Sequence, residues 1–276
     1  MGALAQESHL TLAEGEGSNV SSSYNDWELA AWDSAGGDIK KIYAYDTNSF
    51  TPEKIVSFEL NKNSRIIVKK YFPNAQAYLT SEEDKGNILN ASEIQRLTSI
   101  PINKEPEKNL PGGIFELSLP PTTEFRADTI PFLLFGGETQ PTQIRVTAAP
   151  AERKIINLQL RKQRYPLPFV LTLADFEMEQ HPGTEIARSY KSHVTIEHDG
   201  IKREVLISMN HPLRYKNYTL YQASYMIDPS GREFSTLAVV KNPARLLPYI
   251  SSLVTFLGLV THFLILKIVN RNHVSA

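Results

Sequence analysis

The sequence predicts a mainly β fold: a large β-sandwich-like domain followed by one C-terminal transmembrane helix. Two observations predict it. Short runs rich in β-branched and aromatic residues recur between residues 26 and 240, bounded by Pro, Gly, Asn or Asp. A segment without Asp, Glu, Lys or Arg then extends from Leu246 to Leu266, which is long enough to cross a hydrocarbon core.

The predicted strands show no alternation with helical segments, which favours a sandwich or a barrel over a parallel sheet. Asp199-Gly200 lies between two alternating runs and predicts a tight hairpin. The sequence Asp228-Pro229-Ser230-Gly231 predicts a second turn between strands. The predicted strands are 26–33, 39–46, 54–60, 65–72, 114–119, 143–149, 154–161, 169–178, 192–198, 201–208, 218–226 and 233–240.

Two segments flank or interrupt the predicted domain of residues 26–245. Residues 1–25 are interpreted as an extended lead-in. Residues 81–111 are polar, and we expect a long surface loop there. This loop could contain one short helix near Ser92–Leu97.

The apolar segment predicts a transmembrane helix over residues 246–269 and a cytoplasmic tail over 270–276. A buried core helix is the alternative, although such helices usually carry a polar stripe. The first residues lack the basic and apolar regions of a signal peptide. The β domain is therefore expected either to be cytoplasmic or to belong to a longer membrane protein.

Composition excludes several classes of protein. The 276 residues carry 29 Lys and Arg against 30 Asp and Glu, so a general nucleic-acid binder is not expected. The absence of cysteine excludes disulfides, a thiolate nucleophile and Cys-ligated metal in this polypeptide. No nucleotide-binding or hydrolase motif is present either.

Asp175, Glu177 and Glu179 alternate, so a strand places all three on one face. They could serve general acid–base chemistry on a glycoside, but a solvated strand face is the favoured interpretation. His193 and His198 are five residues apart and are expected on opposite faces of a strand. The histidine spacing predicts no local metal site, and one would need long-range assembly.

His262 lies inside the predicted membrane span, where an ionisable residue suggests a function. Its imidazole could contact haem or a partner helix. Because it is near the end of the span, a histidine at the lipid headgroups is the favoured alternative.

Several motifs in the last third of the chain resemble the ResB family, which includes CcsB-type proteins of cytochrome c biogenesis system II. The run MNHPLRYKNYTLYQASY occupies Met209–Tyr225, and the helix entry NPARLLPY occupies Asn242–Tyr249. Ala174–Ile196 resembles the family's mid-domain segment, and LTLAEGE near the N-terminus resembles the start of its large extracytoplasmic domain. Family members carry three membrane helices before this domain, so we expect a split gene product or a truncated one. The family's membrane histidine belongs to the missing part, and its role is not transferred to His262.

The resemblance implies an assembly factor, not a stand-alone enzyme, in the inner membrane with its large domain on the periplasmic side. Its partners would be a ResC/CcsA-type membrane protein, apocytochrome c and membrane lipid, with haem in the complex and no cofactor assigned to the chain itself. Aromatic residues of the Met209–Tyr225 run could form a rigid binding strip for a partner, or could equally lie in the core. These residues are Tyr215, Tyr218, Tyr221 and Tyr225.

Two other functions stay open at this point. One is a tail-anchored β-sandwich that binds a ligand unrelated to haem. The other is a membrane-tethered hydrolase that uses Asp175, Glu177 or Glu179.

Overall fold

The structure, a computed structural model, is built from sixteen β-strands and one long α-helix in the part of the chain that it describes. It describes residues 5–33, 41–57, 64–79, 94–118, 129–149, 152–181, 183, 187–244 and 246–274. The mainly β prediction and the C-terminal helix are confirmed. The elements are β1 (Gln6–Ala13), β2 (Gly17–Asp33), β3 (Ile42–Asp46), β4 (Lys54–Ser57), β5 (Arg65–Phe72), β6 (Ala75–Leu79), β7 (Ile94–Ser99), β8 (Gly112–Ser118), β9 (Thr129–Phe135), β10 (Thr142–Ala149), β11 (Glu152–Gln180), β12 (Ala187–His198), β13 (Ile201–Ser208), β14 (Leu213–Tyr215), β15 (Tyr218–Ile227), β16 (Glu233–Lys241) and α1 (Leu247–Val274).

The chain divides into two compact units. The first unit contains residues 1–21 and 166–276, and the second contains residues 22–165. Strands β2 and β11 are long and have residues in both units.

The first unit is organised by one antiparallel arrangement of strands. Their hydrogen-bonded order is β13-β12-β11-β2-β1-β16-β15-β14. The two strands at the ends of this order follow each other in the chain, and Ser208 at the end of β13 forms a bridge with His211 in the connection to β14. Their apolar side chains form one core on the inner face, including Leu171, Leu220 and Leu237, each at most 1% exposed.

The second unit has its own core. Strand β3 pairs with β2 and β10 pairs with β11, while β4-β5-β8-β9 form a separate sheet and β6-β7 a two-stranded one. Phe115 and Phe132 stack at the centre of this core, with ring centroids 5.5 Å apart.

Both predicted turns are confirmed. Asp199 and Gly200 have φ values of 51° and 77° and connect β12 to β13, as the positive φ values of a type I′ turn require. In the second turn the Asp228 carboxylate accepts hydrogen bonds from the backbone N–H groups of Ser230 (2.8 Å) and Arg232 (2.9 Å).

Three expectations about local structure differ from what the chain forms. Residues 154–161 and 169–178, predicted as two strands, belong to the single strand β11, because proline's fixed φ is compatible with extended backbone. The helix expected near Ser92–Leu97 is instead β7 from Ile94 onward. Residues 6–13 and 17–25 of the extended lead-in pair into the sheet as β1 and the first half of β2. The first part of the polar surface loop, residues 81–93, lies outside the described residues.

Candidate functional site

The three alternating carboxylates of β11 share one exposed face, as predicted. Asp175, Glu177 and Glu179 are exposed, and Phe176 between them is 4% exposed. A β-bulge between Leu173 and Asp175 produces this arrangement. Because Leu173 faces the core, an uninterrupted strand would have pointed Asp175 and Glu177 inward as well.

The neighbouring strand adds a histidine to this face. His193 of β12 pairs across the strands with Asp175. Its Nε2 atom is 3.1 Å from Oε1 of Glu177. One donor atom each from Asp175, Glu177 and His193 lie within 4.8 Å of one another. The sequence analysis missed this grouping because cross-strand register, and not spacing along the chain, creates it.

Lys191 and Ser189 complete the surroundings of the carboxylates. Nζ of Lys191 is 3.5 Å from Oε1 of Glu179 and 3.7 Å from Oε2 of Glu177. The Ser189 hydroxyl donates a 3.1 Å hydrogen bond to Glu179, and this bond, with the charge of Lys191, holds the pKa of Glu179 below its usual range. Glu179 is therefore ionised near neutral pH, whereas a glycosidase general acid needs a raised pKa.

The arrangement is a charged, water-exposed strand surface. Three donor atoms could contact a cation, but the Lys191 ammonium group stands beside Glu177 and opposes a second positive charge there. His193 and His198 lie on opposite faces of β12, as predicted, since Val194 and Ile196 define the buried face.

The four tyrosines of the predicted partner-binding strip do not form one surface. Tyr218 is 9% exposed and belongs to the core of the first unit, and Tyr215 and Tyr225 pack against that core. Phe169 meets both Tyr215 and Tyr218 edge to face, with centroids 5.4 and 5.6 Å away. Tyr221 alone of the four is exposed, at 42%.

Alternation along β15 turns Tyr218 inward and Tyr221 outward, and a bulge turns Tyr225 inward as well. The register shifts between Gln222 and Ser224, so the inward positions change from even to odd numbers along the strand. Tyr218 and Tyr225 consequently both face inward although they are seven residues apart. Tyr221 precedes the bulge at an odd position and faces outward.

The C-terminal helix α1 is long and apolar enough to span a membrane over Leu247–Ile265. The side chains of this segment are exposed to the outside of the protein. The hydroxyl groups of Ser252 and Thr255 donate to backbone carbonyls one turn earlier, at 2.8 and 2.9 Å. Such internal bonds satisfy hydroxyl groups that would otherwise face hydrocarbon.

His262 lies on this helix three residues before Ile265, at the C-terminal end of the candidate span. Its ring contacts Phe263 with a centroid distance of 5.8 Å. The side chain is exposed. Within the described residues the structure thus leaves His262 available to lipid or to another helix, and its role stays a prediction.

Comparison with known proteins gives a match in the part of the chain that contains the β11 carboxylates and the four tyrosines. The model of the ResB-like family matches residues 150–232. Protein NrfI of Wolinella succinogenes is 33% identical over 111 residues, which cover 40% of this chain and 12% of that protein. The chain therefore spans about an eighth of the length of this curated relative. The matched residues 150–232 begin just before β11 and end after β15, so they contain the carboxylates, His193 and the four tyrosines. The resemblance in the sequence is thereby confirmed for residues 150–232, which are similar to the ResB-like family.

Proposed function

We propose that the chain is a membrane-anchored assembly factor of c-type cytochrome maturation. It acts with a ResC/CcsA-type partner in haem delivery to apocytochrome c. The observation that carries the proposal is the ResB-like match over residues 150–232, in a β-rich chain that continues into a candidate membrane helix. The similarity to Protein NrfI supports the same assignment.

The chemistry of the chain agrees with a factor that positions other molecules. Its sequence contains no cysteine, so this polypeptide cannot itself reduce the thiols to which haem is attached. The carboxylates of β11 are exposed, and the ionised Glu179 is unsuited to donate a proton near neutral pH. These features favour an assembly factor over a hydrolase.

In the proposed orientation α1 crosses the inner membrane and the β-strands lie on the periplasmic side. Lys267 and Arg271 follow the candidate span in the sequence. A larger number of Lys and Arg on one side of a span favours the cytoplasmic location of that side. Lys241 and Arg245 precede the span, so Lys and Arg number two on each side, and the proposed orientation depends on the resemblance to the ResB family and not on the charges.

Tyr221 is the member of the predicted strip that we propose for partner contact. It presents a tyrosine ring on the outer face of β15, and tyrosine is enriched at protein interfaces. Tyr215, Tyr218 and Tyr225 act indirectly by fixing β14 and β15 through the core.

The first test removes the gene and measures covalent haem in c-type cytochromes by haem staining of denatured membrane proteins. Loss of the stained bands, restored by the intact gene, is the expected result. Unchanged staining would refute the proposed function. Global loss of haem synthesis is controlled by measuring b-type haem in the same membranes.

The second test concerns the partner. Tagged full-length chain, purified from native membranes in mild detergent, is expected to recover a multi-span ResC/CcsA-type protein. Tyr221→Ala should reduce this recovery severalfold. Tyr78→Ala is a matched control, because Tyr78 is a similarly exposed tyrosine (39%) of the second unit. Equal recovery with both variants would exclude Tyr221 as a contact while leaving the first test unaffected.

A further inference from the structure

Three chain segments meet at one end of the first unit. They are the Asp199-Gly200 hairpin, the Lys216-Asn217 turn between β14 and β15, and the linker after β16. The backbone N–H of Asn242 in the linker donates a 3.0 Å hydrogen bond to the carbonyl oxygen of Asn217. Nζ of Lys216 is 2.5 Å from Nε2 of His198, the last residue before the hairpin turn.

The candidate membrane helix begins close to this end. Leu247, where α1 starts, is five residue steps after Asn242. Fully extended, five steps span at most about 17 Å. The linker covers a shorter distance than that, since the Ala244 N–H donates to the Asn242 side chain and the Leu247 N–H donates to the carbonyl of Ala244, each at 3.0 Å. The turns therefore lie within reach of the lipid headgroups that surround α1.

The side chains at this end suit a headgroup layer. Ile201, directly after the hairpin turn, is 72% exposed, so its apolar side chain is in contact with whatever surrounds the hairpin. Lys202 follows Ile201 in β13, Lys216 lies in the turn between β14 and β15, and Lys241 ends β16, where it pairs with Tyr218. Long lysine side chains can reach phosphates while their methylene groups lie along apolar surface.

Two of the acidic groups at this end have partners within the protein. Oε2 of Glu197 is 3.3 Å from Nζ of Lys202, and Oδ2 of Asp199 is 3.1 Å from Nε2 of His198. The basic residues Arg203 and Arg214 belong to the adjacent strands β13 and β14. Five Lys and Arg residues (202, 203, 214, 216 and 241) stand at this end together with four acids, Glu7, Glu197, Asp199 and Glu204, so its net charge is +1.

We propose that this end of the first unit rests on the membrane that α1 spans. The Ile201 side chain enters the boundary between headgroups and acyl chains, and Lys216 and Lys241 contact lipid phosphates. Anionic lipid is preferred because Lys216 and Lys241 directly precede Asn217 and Asn242, the two residues whose hydrogen bond joins the turn to the linker. The contact gives the β-strands of the first unit a fixed height above the bilayer, in addition to the covalent connection through the linker. This inference requires α1 to span a membrane, and it does not depend on the function in cytochrome maturation.

The absence of cysteine from the chain permits a direct test. The full-length Ile201→Cys variant is labelled with a small environment-sensitive fluorophore and reconstituted in nanodiscs of phosphatidylcholine, with and without phosphatidylglycerol. A nitroxide on the lipid headgroup quenches fluorophores that are near the membrane surface. The control is Ser230→Cys, an exposed position in the turn at the other end of β15. Ten residues of strand place that turn about 30 Å further away.

We expect severalfold stronger quenching at position 201 than at position 230, with a blue-shifted emission at 201 and a further increase with phosphatidylglycerol. Lys216→Glu should weaken the effect of phosphatidylglycerol. Equal quenching at both positions would overturn the proposal. Quenching at 201 that appears only after a partner protein is added would also overturn it, in favour of a protein contact. A labelled Lys202→Cys variant repeats the measurement if the first variant is poorly recovered.

Discussion

The buried ion pair of the second unit permits the sharpest prediction about stability. Nε of Arg161 in β11 is 2.9 Å from Oε1 of Glu28 in β2, and their side chains are only 12% and 5% exposed. The other carboxylate oxygen accepts a 3.3 Å hydrogen bond from the backbone N–H of Arg164. We consider the substitution Glu28→Gln, which keeps the shape of the side chain and removes its charge.

The expected cost follows from the geometry. At 2.9 Å and an effective dielectric constant of about 20, two unit charges attract by about 6 kcal/mol. Part of this attraction offsets the desolvation of both groups in the native protein. Removing one partner leaves the Arg161 guanidinium buried without its counterion, which costs about 3–5 kcal/mol in proteins. We therefore expect Glu28→Gln to lower the free energy of unfolding by about 4 kcal/mol.

The assay uses the two tryptophans of the chain, Trp27 and Trp32, which are both buried in β2 of the second unit. Urea unfolding of the full-length chain in mild detergent, followed by tryptophan fluorescence, reports on this unit. With a slope of about 2 kcal/mol per molar urea, the midpoint should fall by about 2 M.

The matched control is Glu105→Gln. Glu105 pairs with Lys108 at 2.7 Å in the same unit, but both side chains are more than half exposed. Solvent screening limits such pairs to about 0–1 kcal/mol. Equal midpoints for Glu28→Gln and Glu105→Gln would refute the argument that burial decides the strength of this pair.

Three further predictions concern the first unit. Gly200→Ala should lower the free energy of unfolding by about 1–2 kcal/mol, since φ of Gly200 is +77°. The cause is backbone strain and not a clash, because no neighbouring atom lies within 4 Å of an added Cβ. An unchanged melting temperature by far-UV circular dichroism would contradict this. Ser192→Ala should cost about 1–3 kcal/mol, because its buried hydroxyl donates to Gln222 at 2.7 Å; hydrogen exchange should accelerate in β12 and β15, and unchanged exchange there would exclude a stabilising role for this bond. Hydrogen bonds from the Ser230 side chain and then from the Arg232 backbone N–H hold the pKa of Asp228 below its usual range. The ionised form therefore stabilises the fold fully above the unfolded-state pKa, and this contribution is lost as the pH falls through the lower folded-state pKa; Ser230→Ala should raise the Asp228 pKa in a carbon-13 carboxyl titration, and an unchanged titration would contradict the assigned cause.

Local patterns predicted much of the secondary structure. The runs 65–72 and 201–208 became strands β5 and β13 with the same limits. Asp199-Gly200 formed its turn because few other residue pairs adopt two successive positive φ values without strain. Strands with weaker signals, such as β9 with its Pro131, were missed because proline argues against a strand unless the position needs no N–H donor.

The candidate site shows where local patterns are insufficient. Alternation predicted that Asp175, Glu177 and Glu179 share a face, but not that His193 stands opposite Asp175. The aromatic residues of the run suggested a common strip, or equally a place in the core. Alternation separates Tyr218 from Tyr221, and the bulge after Gln222 turns Tyr225 inward, since one extra residue reverses which positions face inward.

The sequence by itself determined the β-rich class, the candidate membrane helix and the ResB-like resemblance, because each depends on residues that are near neighbours in the chain. The tertiary structure decided which charged groups meet on β11 and β12, which tyrosine is exposed, and which turns lie beside the start of α1. Those features depend on strand register and on single-residue bulges. Register is set by the summed packing of residues far apart in sequence, so no local window of residues contains it.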